Sequence, residues 1–192
     1  MDFLQLVKDA RTCRRFDESA TLPPDTLPWL VDCVRLSPCA KNQQALRFAA
    51  VSSPEAREAL FPALRWAGAL PEWNGPEKGE RPTGYLVLCA PKDAGPTVRI
   101  DIGIAGQTVQ LAAASRGLAS CMFLSFDPHV IAPIIDLPDD LAIVLVIALG
   151  KPVEIRRLAE VPANGCLDYW RDSEGIHYVP KRALKDILIR EL

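Results

Sequence analysis

The 192-residue chain has only two histidines, His129 and His177, and neither has a metal-ligating partner at useful spacing. A zinc centre is therefore not expected. There is no Gly-x-Gly-x-x-Gly after a strand, no Gly-x-x-x-x-Gly-Lys-Ser/Thr, no Gly-x-Ser-x-Gly and no His-Glu-x-x-His. Their absence excludes a Rossmann dinucleotide groove, P-loop hydrolysis, α/β-hydrolase chemistry and zinc proteolysis. No apolar run approaches a membrane span, and Met1-Asp2-Phe3-Leu4 lacks the basic region of a signal peptide, so a soluble, cytoplasmic chain is expected. Lys and Arg (22) do not outnumber Asp and Glu (24); the net charge of −2 argues against nucleic-acid binding. The six cysteines form no Cys-x-x-Cys pair and several sit in apolar runs, where reduced thiols act as small hydrophobes.

What is present is ample apolar content, 49 % of residues, for one real core. Helical periodicity covers 3–10 and 25–36, the second ended by Ser37-Pro38. Phe48 to Val51 reads as a short strand. Ser53-Pro54 reads as an N-cap with Pro at the first helical position, opening a helix over roughly 54–65. Trp66 to Thr83 loses periodicity and reads as a long loop, with Trp66 and Trp73 either part of a substrate lid or packed in the core. Tyr85–Cys89, Leu118–Leu124 and Ala142–Ala148 are apolar strands, and Asp127-Pro128 opens another helix. The longest helix, 98–116, is apolar nearly all round. Such a helix is central, buried against a partner, or both, and its Gly103, Gly106, Ala112 and Ala113 allow close approach. After Gly150 the chain reads as a polar tail that could wrap a subunit, with a final helix from Pro180 to Ile189. Helices alternating with four buried strands predict a three-layer α/β or α+β domain.

Two polar clusters interrupt this pattern. Arg11-Thr12-Cys13-Arg14-Arg15, read as closing the first helix, is either a solvated basic face or a site where guanidinium groups converge on a dianion. The loop Ser37-Pro38-Cys39-Ala40-Lys41-Asn42-Gln43-Gln44 carries carboxamides that can donate and accept at once. That suits the edge of a flat heterocycle, although an ordinary loop has the same composition.

Together the clusters resemble the FMN-dependent nitroreductases. Arg11 to Phe16 is similar to that family's Arg-Ser-x-Arg-x-Phe, and Ser37 to Gln44 to its Ser-Pro-Ser-x-x-Asn-x-Gln. Asp101 to Gln107 with Leu111-Ala112-Ala113 and Gly117 to Cys121 resemble its central helix and following strand. Ala148-Leu149-Gly150-Lys151-Pro152 resembles its Gly-Lys-Pro turn. Departures are Ala10, where many members have arginine, Gln44-Ala45-Leu46 for Gln-Pro-Trp, Cys39 for serine, and Leu124-Ser125 where small residues are common.

The resemblance implies an α+β, three-layer α/β/α fold, a mixed sheet flanked by helices, in an intertwined homodimer with FMN at the interface. It implies a flavin domain over 1–161 and a C-terminal extension over 162–192 that packs on the same domain or the partner subunit. Arg11, Thr12 and Arg14, with Cys13 and Arg15 adjacent, would hold the FMN phosphate and ribityl chain, joined by Gly150, Lys151, Arg156 and Arg157. Pro38, Cys39, Ala40, Asn42 and Gln44 would edge the ring from the other subunit. Phe123, Leu124 and Ser125 would lie beside it, with a backbone N–H near Leu124 donating to N5. No catalytic side chain is implied beyond electrostatic support from Arg14. The implied activity is ping-pong transfer from NAD(P)H, a transient donor, to a small organic acceptor such as a nitroaromatic or quinone. Alternatives are a flavin-binding sensor or storage module, or a reductive dehalogenase or flavin-fragmenting enzyme on the same fold.

Overall fold

A computed structural model describes residues 2–192 of the chain. Among the described residues there are five α-helices: α1 Phe3–Asp9, α2 Thr26–Arg35, α3 Pro54–Leu60, α4 Val98–Ser115 and α5 Pro128–Ile134. The strands are β1 Arg47–Val51, β2 Gly84–Pro91, β3 Ala119–Phe123, β4 Leu141–Gly150, β5 Arg156–Glu160, β6 Trp170–Arg171 and β7 His177–Lys181. Local signals start two of the helices as read from the sequence. Ser53 accepts the Ala56 N–H at 3.2 Å ahead of Pro54, and Asp127 accepts the His129 N–H at 2.9 Å ahead of Pro128.

Strands β1 to β4 form a sheet in the order β1-β2-β4-β3, antiparallel throughout. The expected mixed pairing lies elsewhere, in a small sheet β5-β7-β6 whose first pair is parallel and second antiparallel. The large sheet has two apolar faces because its central strands alternate between them. Tyr85, Val87, Val146 and Ala148 pack toward Leu60 and Ile131 of α3 and α5. Leu86, Leu88, Ile147 and Leu149 pack toward Leu27 and Leu30 of α2 and Ala105 and Val109 of α4. Those four aliphatic side chains are fully buried, each contributing about 1.5–3 kcal/mol. The three-layer arrangement is thus present.

Helix α4 is not covered all round. Ala105, Val109 and Ala113 face the sheet, while Ile100, Gly103 and Gln107 are exposed on the other side.

Two expectations are corrected. The run Arg11–Arg15 does not close α1, which ends at Asp9 with Ala10 as its cap. Instead it runs extended along the outer edge of β3, where Thr12 forms a parallel bridge with Ser120 and the Cys13 N–H donates to Ser120 O at 2.9 Å. Nor is Pro180 to Ile189 a helix, or the tail strandless. Pro180 lies within β7, paired with Ala159, and only a 3-10 turn at Leu184–Asp186 follows. Proline is tolerated there because β6 pairs only with His177 and Tyr178, leaving that edge of β7 free beyond them.

Candidate functional site

The extended run 11–16 lies between the edge of β3 and the segment after β4, so motifs far apart in sequence meet. Asp17 N–H donates to Lys151 O at 2.8 Å, and Val153 N–H donates to Arg15 O at 3.1 Å. Gly150 faces the Phe16 ring so closely that a Cβ there would sit 3.0 Å from its Cδ1. Arg156 Nη1 donates to Arg11 O at 2.7 Å.

The arginines of the cluster diverge. Arg15 grips Glu80 through two bonds, Nε at 2.6 Å and Nη2 at 2.5 Å, which holds the Glu80 carboxyl below its ordinary range. Arg14 turns the other way: its guanidinium lies 4.4 Å over the Tyr169 ring, and Nη1 is 3.3 Å from His177 Nε2. Arg11 donates to Val7 O at 3.0 Å, and both its Nε and that of Arg156 are buried without a hydrogen-bond partner. Arg11, Arg14 and Arg156 have no carboxylate partner among the described residues, so this edge holds uncompensated positive charge. Arg157 is exposed on the opposite face of β5 from Arg156, because neighbouring strand residues alternate. Lys151 is mostly exposed, 3.5 Å from Asp17.

Beside Arg14 opens a cavity of about 250 Å³ lined by Arg65, the end of β3 with Leu124 and Ser125, and Tyr169. Leu124 is largely exposed, whereas the Phe123 ring is buried and meets Trp66 edge-on at 4.7 Å. Trp66 therefore packs against the core, while Trp73 stacks on Arg171 at a separate cleft. Tyr169 Oη accepts the Ala69 N–H at 3.3 Å, tying the tail to the 66–80 loop over this cavity. Burial pushes the Cys121 thiol up to about 12 and the Cys13 thiol up to about 11, so neither supplies a thiolate at neutral pH.

The second motif lines a different cavity, of about 330 Å³, between α2, β1 and α4; the two share no lining residue. Pro38, Cys39 and Gln44 line it, and Ala40 N–H donates to the buried Asp101 Oδ1 at 2.8 Å. Lys41, Asn42 and Gln44 all adopt left-handed backbone, φ 53°, 52° and 48°, and the Gln44 amide donates to Asn42 Oδ1 at 3.3 Å. Within one chain, then, the structure joins the first and last motifs with the end of β3, and keeps Pro38–Gln44 apart.

Glu154, Arg171, Tyr169 and His177 lie outside every motif read from the sequence. Glu154 is wholly buried. It accepts Arg171 at 2.7 Å and the Arg14 backbone N–H at 2.9 Å, with His177 Nδ1 at 4.0 Å. The one available signal was the aromatic content of a tail otherwise rich in charge.

The Nitroreductase family model matches residues 7–151. Among solved structures, a nitroreductase family protein from Clostridium difficile 630 is 23 % identical over 81 % of this chain and 87 % of its own, with a TM-score of 0.65. An FMN-dependent nitroreductase from Clostridium difficile R20291 is 19 % identical over 79 % and 88 %, TM-score 0.65. A chain from Exiguobacterium sibiricum 255-15, solved in complex with FMN, is 16 % identical over 85 % and 95 %, TM-score 0.68. At these identities the likenesses establish the fold. No curated protein matches the sequence significantly. Among the described residues no helix is long and apolar enough to cross a membrane.

Proposed function

Since the chain belongs to the nitroreductase family of flavin oxidoreductases, we propose that it binds FMN and passes reducing equivalents from NAD(P)H to a small organic acceptor. The carrying observation is the uncompensated cationic edge beside a cavity. Buried, unpartnered Nε groups on Arg11 and Arg156 suit a phosphate, and Arg14 faces the cavity at the end of β3. The residues present therefore fit the cofactor. FMN, when bound, supplies hydride acceptance and donation, which no side chain here can perform.

The chain's own residues bind and orient. Arg11, Thr12 and Arg156 hold the phosphate end, Arg14 gives electrostatic support, and Leu124 and Ser125 lie beside the ring. Arg15 is held by Glu80 and takes a supporting role. Pro38, Cys39, Ala40, Asn42 and Gln44 complete the site from a second copy, a reading supported by their separate cavity and by the exposed Ile100, Gly103 and Gln107 of α4. NAD(P)H and acceptor occupy the cavity in turn. Residues 1–161 make up the flavin domain, with 162–192 as its extension.

The test is the visible spectrum of the purified protein before and after NADH or NADPH without oxygen. Flavin absorbance that bleaches supports the oxidoreductase. Flavin that does not bleach with either donor supports a binding module, and a colourless protein that takes up no added FMN overturns the reading.

A further inference from the structure

We propose that His177 is a positioning residue of the flavin site: its neutral imidazole accepts a hydrogen bond from Arg14 and, with the Tyr169 ring, clamps that guanidinium at the cavity. The inference rests on the flavin reading above. A guanidinium has only donors, so the 3.3 Å contact from Arg14 Nη1 requires a lone pair on His177 Nε2. The ring proton then resides on Nδ1, which faces Glu154 Oε1 at 4.0 Å without a hydrogen bond. Tyr169 completes the clamp. Its ring lies 5.1 Å from that of His177 and carries the Arg14 guanidinium over its face. Below, Glu154 Oε2 fixes the Arg14 backbone N–H.

The charges around His177 come from four segments. Glu154, before β5, favours the imidazolium; Arg14 after α1, Arg171 on β6 and Arg156 on β5 oppose it, while Tyr169 supplies the flanking ring. Burial opposes it most, and the pKa lies below the ordinary imidazole range. Protonation at Nε2 would set two donors against each other and release Arg14. The tail is thus part of the ligand site, and its grip on Arg14 is sensitive to acid.

Two measurements test this. In flavin-free protein, imidazole 15N shifts should show His177 with its proton on Nδ1 near neutral pH. Arg14→Gln should move the His177 midpoint upward. In binding, His177→Gln, which keeps an acceptor near Nε2, should hold the FMN dissociation constant within about threefold, whereas His177→Phe should raise it about tenfold. Circular dichroism verifies that both variants fold. Flavin affinity of the wild-type protein should fall on acidification, and that dependence should flatten in His177→Gln. An Nε2-protonated ring, equal losses in both variants, or unchanged affinity in His177→Phe overturns this inference while leaving flavin binding intact. A wild-type protein that takes up no flavin instead overturns the parent reading and the ligand assigned to Arg14.

Discussion

Glu154, without exposed side-chain surface, lies 2.7 Å from Arg171 Nη2, and the two join the segment after β4 to the short strand β6. Removing one partner of a buried ion pair leaves an uncompensated charge, at a cost of about 3–5 kcal/mol. Arg171→Met should therefore lower Tm by on the order of 10 °C. The double variant Glu154→Gln/Arg171→Met should recover part of that loss in a thermal melt, since no charge is left stranded.

Gly150→Ala would press a methyl group against a ring that cannot retreat. Phe16 is fully buried, and the added Cβ would lie 3.0 Å from Cδ1 and 3.2 Å from Cβ and Cγ. Overpacking of this kind costs about 1–3 kcal/mol, to be measured by urea unfolding. Lys151→Ala next door should cost less than about 1 kcal/mol, because its pairing with Asp17 is solvent-exposed.

The divergence of the arginines gives opposite expectations at neighbouring positions. Arg11→Ala should weaken FMN binding about tenfold or more, measured as flavin retained after dialysis. Arg15→Ala should alter flavin content far less and act through the 66–80 loop, by about 1 kcal/mol given the half-exposed pair with Glu80. Loss of flavin in the second but not the first would reverse the assignment of the phosphate end.

Stability should fall on both sides of neutrality. His177 and Glu80 have folded pKa values below their ordinary 6.5 and 4.5, so the unfolded chain takes up protons first. Stability is complete above 6.5 and lost as pH falls, with His177 acting before Glu80. Cys13, Cys89 and Cys121 are raised from 9.0 to about 11, 11 and 12, so the unfolded chain loses protons first on the alkaline side. Stability is full below 9 and declines as pH rises toward those values. Denaturant unfolding from pH 5 to 10 should give a dome, and His177→Gln should flatten its acid limb near pH 6.

The body of the fold was legible where local chemistry decides it. Ser53-Pro54 and Asp127-Pro128 announce helices through their own side chains, and β2 and β4, buried on both faces, read as continuous apolar runs. The arginine run was legible as charge but not as geometry. Which guanidinium meets Glu80, 65 residues on, and which meets His177, 163 residues on, leaves no local trace. Strands β5 and β7 escaped because their half-exposed sequences, RRLAE and HYVPK, show no clean alternation, and Pro180 reads as a helix start.

The parallel pairing of β5 with β7 also sets an order of events during synthesis. Glu154 leaves the ribosome with the large sheet already translated, but its partners Arg171 and His177 follow 17 and 23 residues later. Until then its carboxylate must remain in water and Arg14 unclamped. The nascent domain can therefore assemble its layered core early, yet the arginine edge takes its final form only once Tyr169 to His177 have emerged.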